Sequence, residues 1–159
     1  MAVKAGKEII AALNEVLEAE LTAINQYFLH AKMLQDWGYH RLAAQVRHES
    51  IDEMKHADEL IERILYLDGI PNVQKLGRIR IGQTVPEMFA SDRALEEAAI
   101  PRLNAHIKLC REHDDNGTRA LLEAILVSEE EHLDWIETQE TLIEQIGVQA
   151  YLAEQIHGA

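Results

Sequence analysis

Apolar residues recur at spacings of three, four and seven along most of the chain, the mark of helices that bury one face. The first stripe, Leu13, Leu17, Ile24, Tyr27, Ala31 and Leu34, predicts a helix from about Lys7 to Gln35, broken at Trp37-Gly38-Tyr39-His40. A second stripe through Val46, Ala57, Leu60, Ile64 and Leu67 stops at Asp68-Gly69-Ile70-Pro71. From Gly69 to Thr84 there is no stripe, and Gly69, Pro71, Gly77 and Gly82 punctuate a long connection. Thr84-Val85-Pro86-Glu87 then reads as a helix start: the Thr84 hydroxyl accepts from an early N–H and Glu87 reaches back. The third helix runs to about His113 with Phe89, Leu103, Ile107 and Cys110 inward. Pro101 inside it removes one helical hydrogen bond and predicts a kink or bulge. Asp114-Asp115-Asn116-Gly117 predicts a short turn before a fourth helix over about Thr118–Ile146, whose inward residues are Leu122, Ile125, Leu126, Leu133, Ile136 and Ile143. Gly147 is the expected C-cap, and Val148–Ile156 a short fifth helix. Two tight turns and one long crossover between the second and third helices describe an all-α four-helix bundle.

Composition narrows the class. A chain of 159 residues fits one domain, residues 1–159, and buries roughly two thirds of its unfolded surface without staples. Its one cysteine, Cys110, excludes a disulfide framework within the chain and fits a reducing, cytoplasmic setting. Fifteen Lys+Arg against 28 Asp+Glu give a net charge of −13 and a pI near 5.0, which argues against nucleic acid and anionic membranes as partners. No apolar run approaches roughly 18 residues, and Met1–Lys7 carries no basic-then-apolar leader, so nothing points to export or a membrane span. Eight His beside 28 acids leave a large pool of candidate metal ligands.

An internal repeat selects six of them. Glu53-Met54-Lys55-His56 and Glu129-Glu130-Glu131-His132 are both Glu-x-x-His, 76 residues apart, and each is preceded by a glutamate 33 residues upstream, Glu20 and Glu96. The triplets Glu20/Glu53/His56 and Glu96/Glu129/His132 therefore superpose under one shift. Residues three apart share a helix face, so each Glu-x-x-His delivers an oxygen and an imidazole to one place. All four glutamates also fall on apolar stripes. Four carboxylates in a dry core would repel one another or take up protons, whereas two divalent cations against four Glu⁻ and two neutral His give −4 and +4. The oxygen-rich set with one imidazole per metal suits iron or manganese better than structural zinc.

The stretches AELTAINQYFLHA (Ala19–Ala31), HESIDEMKHAD (His48–Asp58), IERILYLDGIPN (Ile61–Asn72) and EEEHLDWIE (Glu129–Glu137) closely resemble the bacterioferritins over essentially the whole chain. The resemblance implies a ferritin-like bundle with a short fifth helix, assembled as a shell of twenty-four subunits with 432 symmetry. It implies a ferroxidase that oxidises Fe²⁺ with O₂ or H₂O₂ at a di-iron centre and stores a ferric mineral for iron homeostasis. It further implies b-type haem, one per two subunits, with a small ferredoxin as candidate reductant for iron release. Carried over residue by residue, Glu53 and Glu129 would bridge the two irons. Glu20 and His56 would complete one, and Glu96 and His132 the other. Met54, about 100° around the helix from Glu53, cannot face the same metals and occupies the family's haem-ligand position.

Two departures stand out. Asp52 precedes the first bridging glutamate as a partner for a ligand histidine, but Ser128 precedes the second, where the family commonly has an acid. Pro101, five residues after Glu96, is the other. Tyr27, seven after Glu20, is either a hydrogen-bond or redox partner of the site or a core tyrosine. His48 and Asp52 resemble an inner-surface iron site, against the plainer reading of a solvated face. His30, His40, His106, His113 and His157 belong to no constellation and read as structural or surface residues, and Cys110 reads as a core thiol. A rubrerythrin-like peroxide reductase would normally need two Cys-x-x-Cys knuckles, which one cysteine cannot provide. A haem-binding or structural bundle with vestigial carboxylates fits poorly with a complete set of six.

Overall fold

The computed structural model describes residues 6–157. The expectation for Met1–Lys7 lies outside them except for its last two residues, as do the outermost residues of the 1–159 range. Five helices follow in order: α1 (Lys7–Asp36), α2 (His40–Tyr66), α3 (Val85–Glu112), α4 (Asn116–Ile146) and α5 (Val148–Ala153). No strand forms among the described residues. The first four make a bundle, and an extended crossover joins α2 to α3.

The start of α4 is a correction. Asp115 caps it, its carboxylate accepting from the Thr118 backbone N–H at 3.0 Å and the Thr118 hydroxyl at 2.7 Å. Asn116 and Gly117 are therefore the first helical turn rather than part of a loop, because the cap outweighs the glycine. Arg63 ties this end to α2, its guanidinium donating to Thr118 Oγ1 and Asp115 Oδ1, each at 3.0 Å. At the other end α5 stops at Ala153, short of the expected Ile156. Gly147 joins α4 to it with φ +85°, a backbone conformation that L side chains rarely adopt. Pro101 does not interrupt α3: it is exposed, so the lost hydrogen bond falls on the solvent side of the helix. Thr84 caps α3 as expected, while Glu87 Oε2 accepts from Gln83 N–H at 2.7 Å, one residue further back than the cap itself.

Two apolar clusters fill the interior. One gathers Leu13 and Leu17 of α1, Leu60 and Ile64 of α2, Leu103 and Ile107 of α3, and Leu122 and Ile125 of α4. The other gathers Tyr27 and Leu34, Leu42 and Val46, Met88 and Phe89, Ile136, and Tyr151 of α5. On every bundle helix the residues between the two sets are buried and polar: Glu20, then Glu49 and Glu53, then Asp92 and Glu96, then Glu129 and His132. The candidate ligands thus form a polar layer across a bundle that is apolar above and below it.

The crossover lies along α1 and bonds to its side chains. Asn14 Nδ2 donates to Ile70 O, and Asn14 Oδ1 accepts from Asn72 N–H. Thr22, Gln26 and His30, one turn apart, accept from the N–H groups of Gly77 (2.8 Å), Arg80 (3.0 Å) and Gly82 (3.0 Å). Gly82 must lack a Cβ, which would stand 2.4 Å from the Met88 backbone nitrogen.

Candidate metal centre

The bundle brings all six repeat residues together. His56 Nδ1 lies 3.3 Å from Glu129 Oε1, 3.6 Å from Glu20 Oε2 and 3.9 Å from Glu53 Oε1. His132 Nδ1 lies 3.1 Å from Glu53 Oε1, 3.6 Å from Glu96 Oε1 and 3.8 Å from Glu129 Oε2. Two overlapping groups result, Glu20/Glu53/His56/Glu129 and Glu53/Glu96/Glu129/His132. Within each, one ligand atom per residue lies within 4.8 Å of all the others. Glu53 and Glu129 belong to both.

Each of the six residues also leaves one buried side-chain atom with no hydrogen-bond partner: Glu20 Oε2, Glu53 Oε1, His56 Nδ1, Glu96 Oε2, Glu129 Oε1 and His132 Nδ1. Native interiors contain few such atoms, and six in one layer require something to bind them. The donor set is four carboxylates and two imidazoles, all facing inward. It fits a pair of divalent cations in charge, in number and in chemistry.

Protonation fills the same role in the metal-free chain. Burial works against a charged imidazole, but the carboxylates around each ring outweigh it and push His56 and His132 up to about 12. Burial, then the neighbouring acids, holds Glu20 and Glu96 well above the usual carboxylate range. Glu53, facing both imidazoles, stays ionised. The Tyr27 phenol, raised by burial and by the acids around it, remains a donor and bonds Glu96 Oε1. Both of its readings hold: Tyr27 is packed in the core, and its hydroxyl is a hydrogen-bond partner of the site.

Around the six, Asp52 accepts from His132 Nε2 at 3.2 Å, reaching across from α2 to α4. His48 lies 3.6 Å from the same carboxylate and is largely solvated. Two buried acids escaped the sequence reading. Glu49 is 1% exposed, met only by Gln45 at 3.5 Å, and burial raises its carboxyl well above the ordinary range. Asp92 Oδ1 accepts from Gln26 Nε2 at 2.8 Å and from His30 Nδ1 at 2.9 Å, so His30 is a buried bridge between α3 and the crossover. The one available signal was spacing: Glu49 and Asp92 each stand four residues before a candidate ligand on an inward face. His40 and His157 are exposed, whereas His106 and His113 approach surface acids. Cys110 is buried in the core, and burial raises its thiol to about 11.

A cavity of about 280 Å³ between α1, α3 and the crossover reaches the cluster. Glu18, Arg78 and Arg102 are among its lining residues, with Glu20, Glu53, Glu96 and Glu129. Met54 is not part of the cluster. It is 54% exposed on the other side of α2, on a surface that also carries exposed Ile51 and Phe28, with the Arg47 guanidinium 5.6 Å over the Phe28 ring.

Residues 10–146 match the family described as a ferritin-like domain. The chain is 50% identical over 147 residues to a Mycobacterium tuberculosis protein named bacterioferritin BfrA, covering 92% of each. It is 52% identical over 149 residues to a Streptomyces coelicolor bacterioferritin, covering 94% of this chain and 89% of the other. Among solved structures, Mycobacterium tuberculosis bacterioferritin BfrA superposes with a TM-score of 0.96 at 48% identity, over 98% of both chains.

Proposed function

The chain belongs to the bacterioferritins of the ferritin-like family, and on that footing we propose that it stores iron by oxidising Fe²⁺ at the six-residue cluster and holding the Fe³⁺ as a mineral inside a shell of twenty-four copies. The observation that carries this reading is the set of six buried, unpartnered donor atoms, one per residue.

Fe²⁺ is the substrate. Two ions bound side by side supply two electrons, enough to reduce O₂ to H₂O₂ or H₂O₂ to water. The protein's part is placement and charge. Glu53 and Glu129, which belong to both ligand groups, bridge the ions; Glu20 with His56 and Glu96 with His132 complete one ion each. Ion entry displaces the protons that His56, His132, Glu20 and Glu96 hold in the metal-free chain, so the layer stays near neutral before and after loading. The cavity reaches the cluster past Glu15 and Glu18 together with Arg78 and Arg102; its acids outnumber its bases, which favours cations. Net charge of −13 acts in the same direction.

The Met54 surface fits a haem shared between two copies: a solvent-facing thioether, a poor use of methionine in a monomer, beside exposed Ile51 and Phe28. A bound haem would supply electron transfer, with a small ferredoxin as the donor for iron release, in a cytoplasmic shell. Met54 would be its ligand from each copy.

Anaerobic Fe²⁺ titration of the assembled protein, followed by an O₂ pulse, tests the main claim. Oxidation should saturate at two irons per chain, and Glu129→Ala should abolish the fast phase. Fast oxidation that persists in Glu129→Ala would move the chemistry elsewhere. Size-exclusion chromatography should show an assembly of several hundred kilodaltons rather than a monomer or dimer.

A further inference from the structure

The shift of 76 residues that relates the two halves of the cluster also relates their contacts. The 3.3 Å approach of His56 Nδ1 to Glu129 answers that of His132 Nδ1 to Glu53 at 3.1 Å. The 3.6 Å approach of His56 to Glu20 answers that of His132 to Glu96 at 3.6 Å. The surroundings do not repeat. Asp52 takes the remote nitrogen of His132 at 3.2 Å, but the same shift leads from Asp52 to Ser128. The carboxylates near His56 all meet its Nδ1, and none meets Nε2. Tyr27 donates to Glu96, and its counterpart is the apolar Leu103. Glu49 has Ile125 as its counterpart. The polar supports have no equivalents in the Glu20/His56 half.

Resting on the assignment of the cluster as the iron site, we propose that the two half-sites are unequal: the Glu96/His132 half binds its ion more tightly and fills first, and the Glu20/His56 half fills second. A carboxylate on the remote ring nitrogen fixes the tautomer and orientation of a ligand histidine and raises its basicity. Losing such a partner typically weakens metal binding by about 10–100-fold. In sequence, Ser128 holds the place under the shift of 76 that Asp52 holds in the other half, with a neutral hydroxyl instead of a charge. Tyr27 adds to the difference by holding one Glu96 oxygen in place before metal arrives. The ion beside His132 is therefore the first to bind and the last to leave, and the ion beside His56 the reverse. Asp52 and Ser128 are positioning residues and touch no metal.

The probe is Zn²⁺, titrated calorimetrically into the assembled, iron-free full chain, with anomalous diffraction from crystals loaded at one Zn²⁺ per chain. Two steps about 10–100-fold apart are expected, with the first anomalous peak beside His132. Ser128→Asp should tighten the second step until the two merge. The exchange Asp52→Ser/Ser128→Asp should reverse the order, moving the first peak beside His56, which a merely structural role for either residue would not do. Equal steps in the wild type, a first peak beside His56, or an order unchanged in the exchanged variant would overturn the inequality. Glu129→Ala separates the two levels of failure. If equal steps vanish in that variant, the iron-site assignment stands and only the inequality falls; if both steps survive it, the assignment falls as well.

Discussion

Replacing Glu96 by alanine separates what this carboxylate does for the fold from what it does for metal. Glu96 is 1% exposed, and burial together with Glu129 holds its carboxyl well above the ordinary range. Without metal, repulsion among the four acids is thus already relieved by protonation, and deleting one acid gains little. The variant instead loses packing and leaves the buried Tyr27 hydroxyl without its acceptor, a cost of about 1–3 kcal/mol. With metal the balance is different. At a free concentration about 100 times Kd one site adds about 2.7 kcal/mol, and a site weakened a hundredfold adds only about 0.4 kcal/mol. The lost increment of about 2.3 kcal/mol corresponds to about 5–9 °C in Tm for a chain of this size. Scanning calorimetry with and without Zn²⁺, beside stopped-flow Fe²⁺ oxidation, reads both terms. The variant should melt about 2–12 °C lower without metal, gain about 5–9 °C less from Zn²⁺, and lose the fast phase. An unchanged metal increment with an unchanged initial rate would remove Glu96 from the site.

Three further outcomes follow from the same geometry. His56 and His132 are raised to about 12 in the folded metal-free chain, so the stability they add is present below their unfolded value near 6.5 and lost as pH rises toward 12. Urea melts of the metal-free protein should fall steadily from pH 7 to 10, and a flat profile would contradict the imidazolium assignment. Truncation after Gly147 removes Tyr151, which is 1% exposed, bonds Gln139 at 2.6 Å and packs 6.4 Å from Phe89. It should cost about 3–5 kcal/mol in urea melts and give incomplete shells by size-exclusion chromatography. Met54→Leu should lose haem while keeping Fe²⁺ oxidation, because Met54 faces away from the cluster; full haem content with an unaltered spectrum would exclude Met54 as the ligand.

The six cluster residues were legible because helical spacing and a repeated Glu-x-x-His speak the same language: three residues apart is one face, and 76 apart is the same place on the next pair of helices. The bundle and its crossover were legible for a similar reason, since glycines and prolines interrupt an otherwise unbroken stripe. What the sequence hid depends on contacts between elements. Asp52 serves His132 on α4 rather than its own neighbour His56, a pairing that exists only once α2 and α4 lie side by side. His30 looked unattached because one of its partners, the Gly82 N–H, is loop backbone and carries no signature. Gly117 looked like a turn because the cap that overrides it, Asp115 on Thr118, is a matter of geometry rather than propensity.

The hidden contacts explain how a charged layer survives between two apolar clusters. On α1, Glu20 belongs to the cluster, while Thr22, Gln26 and His30 grip the crossover. Gln26 and His30 also share Asp92 of α3, one turn before Glu96. The spacing of α1 and α3 is thereby fixed by hydrogen bonds that do not involve any candidate ligand. Buried amide, imidazole and carboxyl groups satisfy one another there at about 2.8–3.0 Å, close to ideal length. One turn away, Glu20 and Glu96 leave oxygens unpaired. A bundle that needed metal to space its helices would reshape its site as iron came and went. Under the proposed function, withdrawing iron would exchange cations for protons and leave the supporting network in place, so that the same site could receive the next pair of ions.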